Sequence, residues 1–553
     1  MALRPFLAAG IFATTTLVSA CGGPGGGTGA SGGDDVPTLR RGISAKVDTL
    51  DPHRSSAAWE NIVIGDMIIG LMQTAADGTV IPGVAESWEV DDSGLVWTFR
   101  LRQDAVWSDG VPLTANDFVF ALRRIQDPNL ASQYASLLYL IKNAEAVNNF
   151  DPDTGAGLPP EELGVRALND HTLEITLNEP APYLLELLTH YTTYPVPQHA
   201  VEAHGEAWVY PDNIVVNGPY KLVYWRTGDQ IVTEKNPLFW DSESVCFERV
   251  TYFELEDATA VERRIEAGEL DINNAFDGTR KAELEARFPG WPRTSPGVLT
   301  TYWSFNSSSS PMNDPRVRKA LAMALDREYM VEKVLTPGYV PAYSFVPPKI
   351  GNYDVERPVV SWSTLPRDQR LIEAKALLEA AGYGPENPLT FEYIFRSTDD
   401  NPKVAPVAQS NWNDIAPWVN AQILRQDTKV LYARLRQSDF EVSDGAWIAD
   451  FSDPINFLYL LDSRTGQQNY GNYDNPEYDA LLSAASLEFD LETRAQTFAE
   501  AEALMLEETP ITPMWFAVTK NMVDPTLEGW GENPKDIHRS RWLCRPELRG
   551  ASD

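Results

Sequence analysis

The sequence DGAWIADFSDP, residues 444–454, reads as the end of a strand followed by a loop that Pro454 closes. It places an indole, Trp447, and the small residue Ala449 beside the carboxylate of Asp450. A carboxylate beside an indole can hold an ammonium group by ion pairing, charged hydrogen bonds and cation–π attraction. A solvated aspartate at a strand end is the alternative interpretation, and the rest of the chain has to decide between the two.

The N-terminal segment is typical of an exported protein. Residues 1–20 carry one positive charge, Arg4, before an apolar stretch that is too short to span a bilayer. Small residues directly precede Cys21, which resembles the signal of lipoproteins; an ordinary signal peptide with a chance cysteine is the alternative. Residues 21–37 are rich in glycine and predict a flexible tether. We therefore expect a protein lipid-anchored at Cys21, in the periplasm or on the outer face of the cell membrane.

Composition limits the classes of partner. With 43% hydrophobic residues in 553, the mature chain is globular and long enough for two or three domains. A net charge of −34 argues against nucleic acid, whose phosphates would repel it. Cys246 and Cys544 remain once Cys21 is lipidated. An oxidising compartment favours a disulfide between them over two separate buried thiols.

Strand and helix patterns alternate along the chain without a fixed repeat, which predicts an α/β or α+β fold. Residues 84–102 predict a β-hairpin whose turn lies at residues 92–94. Thr114 predicts the N-cap of one helix, and Asp314 followed by Pro315 predicts the start of another.

A series of short motifs follows in order: LDPH (50–53), PGVAESW (82–88), WTFRLRQDAVWSDG (97–110), ANDF (115–118), NGPYKL (217–222), NPLFWD (236–241), DPRVR (314–318) and GY (382–383). In this order they resemble the bacterial extracellular solute-binding proteins of peptide and oligopeptide uptake, the partners of ATP-driven importers. Each motif alone is weak, whereas the ordered series is specific. The resemblance runs from about residue 38 almost to the C-terminus.

The resemblance implies an α/β fold of the periplasmic-binding-protein type II class. In this fold two lobes close over the ligand about a hinge, and one lobe carries an inserted domain. Lobe 1 would comprise residues 38–73, 197–298 and 518–553, the inserted domain residues 74–196, and lobe 2 residues 299–517. A bridge between Cys246 and Cys544 would then lie within lobe 1.

The resemblance also gives the stretch 444–454 a role. In oligopeptide binders the motif Trp-x-Ala-Asp supplies the carboxylate that holds the peptide's α-ammonium group, and the match here is Asp450. In a closed, water-poor cleft such an ion pair is far stronger than in bulk water. The implied ligand-binding residues are Asp450, Trp447, Ala449, Gly445, Tyr302, Asn306, Asn469 and Tyr470. Tyr134 is interpreted either as a residue that orients Asp450 or as an ordinary core or surface aromatic.

Two departures from the family pattern concern the walls of the cleft. The archetypal oligopeptide binders have a pair of cysteines where this chain has Leu299 and Ile448. Both cysteines are missing together, so we expect an apolar contact in place of the disulfide. Ser304 stands where the family has a glutamate of the cleft.

A third departure concerns the C-terminus of the ligand. Asp444 stands where the family has an arginine that helps to hold peptide C-termini, and Asn401 lies near the position of a histidine with the same role. We expect Asp444 to disfavour a ligand carboxylate there. Arg434 and Arg436 are interpreted either as substitutes for that arginine or as solvated charges on a helix face.

The sequence thus predicts the substrate-binding component of a peptide ABC transporter, a monomer without enzymatic activity, cofactor or metal. The alternatives are a binder of the same family for another amine-bearing or small solute, such as a dipeptide, a sugar or a metal chelate, and a surface protein for adhesion or signalling. Catalysis is rejected because the chain has no Gly-rich phosphate loop, nucleophile elbow, HExxH or CxxC motif. The spacing of His199 and His204 is poor for zinc.

Overall fold

A computed structural model describes residues 36–335, 338–397 and 400–549. The predicted signal peptide, the predicted lipidation site Cys21 and all but the last two residues of the predicted tether lie outside these ranges. Within the described ranges, no helix combines the length and the apolar character needed to cross a membrane.

Strands and helices alternate along the chain, as the sequence predicts. The strands are β1 (Thr38–Ile43), β2 (Met72–Thr74), β3 (Val80–Pro82), β4 (Ala85–Val90), β5 (Val96–Leu101), β6 (Val165–Asn169), β7 (Thr172–Thr176), β8 (Tyr220–Arg226), β9 (Gln230–Lys235), β10 (Arg249–Glu254), β11 (Ile272–Asn273), β12 (Pro292–Phe305), β13 (Val340–Pro341), β14 (Leu389–Arg396), β15 (Val419–Gln426), β16 (Val442–Ile448) and β17 (Ile511–Val523). The α-helices are α1 (Ala58–Met67), α2 (Ala115–Ile125), α3 (Ala144–Asn148), α4 (Leu184–Leu187), α5 (Gln198–His204), α6 (Ala258–Glu266), α7 (Lys281–Arg287), α8 (Pro315–Ala324), α9 (Arg327–Tyr329), α10 (Arg367–Ala380), α11 (Asn401–Asn413), α12 (Thr428–Arg436), α13 (Ile455–Leu458), α14 (Pro476–Leu487), α15 (Leu491–Glu508) and α16 (Pro546–Arg549).

One mixed sheet of 11 strands runs through the protein in the order β15-β14-β16-β12-β17-β11-β1-β10-β9-β8, with β13 paired to β17. The parallel pairs are β14 with β15 and β16, and β1 with β10 and β11. Parallel neighbours need a crossover connection, which α11 and α12 supply around β15. At the centre of the sheet the two longest strands, β12 and β17, pair antiparallel, and their ladder is irregular between Pro296 and Thr300.

Buried apolar side chains form two large clusters. The first cluster extends from Leu39 to Ile272 and includes Val523 of β17, whereas the second extends from Tyr302 to Trp515. Strand β17 therefore links the two clusters, because its first residues belong to the second and Val523 belongs to the first, and β12 pairs along it. Two cores joined by two central strands are consistent with two lobes, and the residue boundaries given above for the domains stay predictions.

Local signals predict several elements correctly. The hairpin is confirmed, since β4 and β5 pair antiparallel and Gly94 takes a φ of +71° in the turn between them. The start of α2 is confirmed by a capping box, in which the Thr114 N–H donates to Asp117 Oδ2 at 2.8 Å. The start of α8 is confirmed because Asp314 Oδ1 accepts the Arg316 N–H at 2.9 Å.

A disulfide joins Cys246 to Cys544, with the two Cα atoms 5.4 Å apart. Next to it, the Cys544 N–H donates to the carbonyl of Glu528. Cys246 packs against the first cluster, to which the neighbouring Leu543 also belongs. The C-terminal segment is thus held covalently to the first core.

Candidate functional site

Strands β12 and β16 form the floor of the predicted site. They pair antiparallel, with Tyr302 opposite Gly445 and Thr300 opposite Trp447. Directly opposite residues of such a pair share one face of the sheet. A Cβ atom on Gly445 would lie 2.9 Å from the ring of Tyr302, so the ring can lie over β16 because position 445 is glycine.

The same ladder pairs the two positions where the family has cysteines. Leu299 is the direct partner of Ile448 in the register of β12 and β16. Ile448 is 62% exposed and Leu299 is half-buried. Two aliphatic residues therefore occupy the facing positions at the end of the floor.

Asp450 follows the end of β16 by two residues, and its carboxylate has no partner among the described residues. Its backbone N–H donates to Asn456 Oδ1 at 3.3 Å, but no donor in residues 36–335, 338–397 and 400–549 reaches its carboxylate oxygens. The side chain is open to solvent, yet the protein around it displaces enough water to raise its pKa. Such a carboxylate gains from a cationic ligand, because the cation supplies the missing charge partner.

One buried amide holds the indole and the loop of Asp450 together. Asn456 Oδ1 accepts the Trp447 Nε1–H at 2.8 Å as well as the Asp450 N–H. Tyr459 meets Trp447 edge to face, with ring centroids 5.8 Å apart. The pKa of Tyr459 is raised mainly by burial and to a smaller extent by the charge of Asp450. Sequence reasoning missed Asn456 and Tyr459, because both follow Pro454 and no spacing rule relates them to the motif.

The next carboxylate along the chain, Asp453, has a structural role. Its oxygens accept from Nη1 and Nη2 of Arg494 at 2.6 and 2.9 Å, and both side chains are buried. Asp453 Oδ1 also accepts the N–H of Ile455 at 3.1 Å, at the start of the helix that carries Asn456. The Asp453–Arg494 ion pair therefore fixes the helix that positions the Asp450 loop.

Asp444 is also engaged within the protein. It is buried, and it accepts the Arg396 Nε–H at 2.6 Å and the Arg396 backbone N–H at 2.9 Å. Arg434 forms ion pairs with Glu392 at 2.8 Å and Asp439 at 2.9 Å. Asp444 is therefore neutralised inside the protein, and Arg434 is held by carboxylates of its own surroundings.

A cavity of about 80 Å³ lies on the floor between β12, β16 and the segments that cover them. We call it the floor cavity; the predicted site residues that line it are Tyr302, Gly445, Trp447 and Tyr470. Ser304, at the position of the family glutamate, lines it too. Ala449 and Asp450 follow Trp447 along the chain, so these residues of the prediction lie close together.

Two other predicted residues hold the loops around the floor cavity. Asn306 is buried, and its Nδ2 donates to the carbonyls of Ser438 at 2.8 Å and Phe440 at 3.0 Å. Asn469 is buried as well; its Nδ2 donates to the Tyr473 carbonyl at 2.8 Å and its Oδ1 accepts the Tyr473 N–H at 3.0 Å. Both amides are engaged by backbone, and direct contact of either with a ligand stays a prediction.

Tyr134 packs against the first cluster. Its ring lies 5.0 Å from His190 and 6.0 Å from Tyr191, measured between centroids. A role for Tyr134 in orienting Asp450 stays a prediction.

Comparisons with known proteins show which family the chain resembles. Residues 79–469 match the family model described as bacterial extracellular solute-binding proteins, family 5, middle region. The chain is similar to the periplasmic oligopeptide-binding protein OppA of Salmonella typhimurium, with 37% identity over 91% of each chain.

Two solved structures show the fold that this chain shares. The unliganded open form of MppA, a periplasmic murein tripeptide binding protein, is 32% identical and superimposes with a TM-score of 0.86 over 92% of this chain and 98% of that chain. Haemophilus influenzae OppA in complex with the peptide RPPGFSPFR is 33% identical and gives a TM-score of 0.67 over 93% and 99%. Both structures share the fold over nearly the whole of this chain. The predicted α/β periplasmic-binding fold of type II is confirmed, and the chain belongs to the family 5 bacterial extracellular solute-binding proteins.

Proposed function

We propose that the protein is the substrate-binding component of a peptide ABC importer, which captures peptides between its lobes and delivers them to a membrane permease. The observation that carries the proposal is the carboxylate of Asp450, which has no hydrogen-bond or charge partner in the described residues and lies in a loop whose backbone N–H shares the Asn456 amide oxygen with the indole of Trp447. We call these three residues the ammonium site. Every unmodified peptide begins with an α-ammonium group, so an anion that binds it fixes the register without reading side chains. Relatives named for oligopeptide and murein tripeptide binding support the same ligand class.

Closure of the lobes would strengthen the contact between Asp450 and the ligand. Two unit charges 4 Å apart attract by about 1 kcal/mol in bulk water and by about 4 kcal/mol at an effective dielectric constant of 20. The ammonium group also lowers the pKa of Asp450 again, because a nearby cation favours the ionised carboxylate. Binding is therefore coupled to release of a proton at pH values where free Asp450 is still protonated.

We assign the other predicted residues either to contact with the ligand or to support of the loops around it. Trp447 and Ala449 flank the ammonium group, and Gly445, Tyr302 and Tyr470 form the floor beneath the first ligand residues. The ligand main chain would pair with protein strands, while its side chains occupy pockets that retain water. Tyr134 would meet this assembly on closure, and Asn306 and Asn469 would act by holding the loops in place.

Localisation follows from the same role. We propose that Cys21 carries a lipid and that residues 21–37 tether a monomeric receptor near its permease at the periplasmic side of a membrane. Two of the relatives reported above, OppA of Salmonella typhimurium and MppA, are periplasmic by name. This role needs no catalytic group or cofactor. In the described ranges, no three His, Cys, Asp or Glu side chains are grouped as a metal site would require.

Calorimetric titration with tri- to pentapeptides tests the proposal. The mature protein is expected to bind these peptides, and N-acetylation of the peptide or Asp450→Asn is expected to weaken binding at least about tenfold, because either change removes the ion pair. The two changes together should cost little more than one alone, since they remove the same contact. Asp212→Asn, which neutralises an exposed aspartate outside the site, is the matched control and should leave affinity unchanged.

Other outcomes separate the alternatives. Binding that survives both acetylation and Asp450→Asn would refute the ammonium site and leave a peptide receptor that anchors its ligand elsewhere. Absence of binding by every peptide would favour a receptor of the same family for another amine-bearing or small solute, such as a sugar or a metal chelate.

A further inference from the structure

The loop that carries Asp450 connects the two buried clusters. Ala449 packs against the second cluster, whereas Phe451 packs against the first. On the side of the second cluster, the backbone N–H of Asp450 is held by Asn456 in α13, whose Phe457 belongs to that cluster. The chain therefore passes from one core to the other at Asp450 itself, and a contact on the side of the first core can also affect where its carboxylate lies.

Phe451 makes such a contact by stacking on the ring of Tyr183. The two rings are nearly parallel, with an angle of 8° between their planes and 4.7 Å between their centroids. Tyr183 directly precedes α4 and packs against the first cluster. A stacked aromatic pair contributes more than the burial of its area alone. The stack therefore fixes Phe451, and with it the neighbouring Asp450, relative to the first core.

The phenol of Tyr183 also lies within electrostatic range of the ion pair that supports the loop. Burial raises the pKa of Tyr183 to about 12, with the charges of Glu179 and Asp453 adding to the effect and the charge of Arg494 opposing it. Tyr183 is therefore neutral at physiological pH, and its ring contacts the loop as an uncharged aromatic group.

A second contact from α4 reaches the next residue of the loop. Glu186 of α4 is buried, and its Oε2 accepts an N–H of Lys535 at 2.8 Å. Ser452 is buried as well, and its Oγ accepts the Gly351 N–H at 2.8 Å. A Cβ atom on Gly351 would lie 2.8 Å from the Ser452 carbonyl oxygen and 3.2 Å from Glu186 Oε1, so these three residues meet. Burial raises the pKa of Glu186, whereas Lys535 and the backbone N–H of Ser452 lower it. The two residues that follow Asp450 are thus both contacted from the α4 segment.

We infer that Tyr183 is a positioning residue of the ammonium site, because its stack on Phe451 holds Asp450 where the α-ammonium group of a peptide binds. The inference rests on the proposed peptide-binding function. A loop supported from one core only would sample more positions of the Asp450 carboxylate, and the ligand would have to order it on binding. A loop supported from both cores is ordered beforehand, so the ligand loses less free energy to that ordering.

Calorimetric titration of the mature protein with trialanine and with N-acetyl-trialanine tests this inference. Tyr183→Leu, which removes the ring and keeps an apolar side chain, should raise the Kd of trialanine about fivefold, the contribution of one aromatic pair. The Kd of N-acetyl-trialanine should change little, because that peptide has no ammonium group for Asp450 to bind. Tyr183→Phe keeps the ring and should bind both peptides as the wild type does.

Two further changes connect the effect to the stack and to Asp450. Phe451→Leu should raise the Kd of trialanine as much as Tyr183→Leu does, and the double variant should have little more effect than either change alone, because both remove one contact. Phe451→Leu also carries the test if Tyr183→Leu does not fold. In the Asp450→Asn protein, neither change should raise the Kd further.

The control is Tyr210→Leu. Tyr210 stacks on Trp225, which also packs against the first cluster, with ring centroids 5.6 Å apart, and neither residue belongs to the Asp450 loop. This variant should change the Kd of neither peptide.

The possible failures of the two proposals are distinct. An equal rise in the Kd of both peptides on Tyr183→Leu, or no rise in either, would overturn the inference and leave the proposed function intact. A rise that persists in full in the Asp450→Asn protein would overturn it as well. Failure of the wild type to bind any tri- to pentapeptide would overturn the proposed function and, with it, this inference.

Discussion

Glu502 is a buried carboxyl group whose titration we expect to control stability. It lies in α15 with none of its surface exposed. Its Oε1 accepts the N–H groups of Phe345 at 2.7 Å and Val346 at 2.9 Å, and its Oε2 accepts the hydroxyl of Tyr353 at 2.6 Å. Burial nevertheless raises its pKa from 4.5 to about 7, because the loss of hydration outweighs these hydrogen bonds and the charge of Arg357.

The raised pKa of Glu502 makes the protein less stable as the pH rises. Below 4.5 the carboxyl group is protonated in both states, so it contributes no pH dependence. Between 4.5 and about 7 the unfolded chain loses the proton first, so the free energy of unfolding falls, and the loss is complete above about 7. A pKa difference of one unit between the folded and unfolded states corresponds to about 1.4 kcal/mol of stability, so the raised pKa of Glu502 corresponds to about 3 kcal/mol.

Urea unfolding of the wild type and of Glu502→Gln between about pH 4.5 and about pH 8 measures this contribution. Glutamine keeps an acceptor for the two N–H groups and does not titrate. Relative to the variant, the wild type should lose about 3 kcal/mol of unfolding free energy across the range. Glu500→Gln, an exposed carboxylate on the same helix, is the control and should follow the wild type. A difference between wild type and Glu502→Gln that stays constant with pH would refute the argument.

The supports of the ammonium site allow two further tests. Arg494→Met should lower the free energy of unfolding by about 3–5 kcal/mol in urea, because Asp453 is left buried and unpaired; a loss below about 1 kcal/mol would contradict the buried ion pair. Asn456→Ala should raise the Kd of free-amine peptides about tenfold, since two hydrogen bonds that orient Trp447 and the Asp450 loop are lost. N-acetylated peptides should be affected less, and an equal loss for both peptide classes would indicate a purely structural amide. The control is Asn411→Ala, which removes a buried acceptor for the backbone N–H of Asp326. It should not change the ratio of the Kd of N-acetylated peptides to the Kd of free-amine peptides.

Local structure was predictable where its causes are local. The turn at residues 92–94, the capping box of Thr114 with Asp117 and the start of α8 at Asp314 all depend on contacts within a few positions of the chain. The order of the motifs indicated the family without the tertiary structure. Composition and spacing could not give the order of the 11 strands, because β12 and β17 pair across more than two hundred positions, as Ser304 with Ile511 shows.

The candidate site was predictable only in part. The motif indicated Asp450 and Trp447, and the structure places Tyr302, Gly445 and Tyr470 around one cavity next to them. Local sequence does not show that Asn456 holds the indole, since its role depends on α13 folding back onto β16.

The amino-acid sequence was sufficient for the family, the fold class and the motif that contains a candidate ammonium anchor. Which of the three aspartates in residues 444–454 is free to bind depends on the folded chain. Asp444 is neutralised by Arg396, 48 positions away, and Asp453 by Arg494, 41 positions away, whereas Asp450 has no such partner in the described residues. The physical reason is that the free energy of a carboxylate depends on the charges and donors around it in space, and folding brings these from distant parts of the chain.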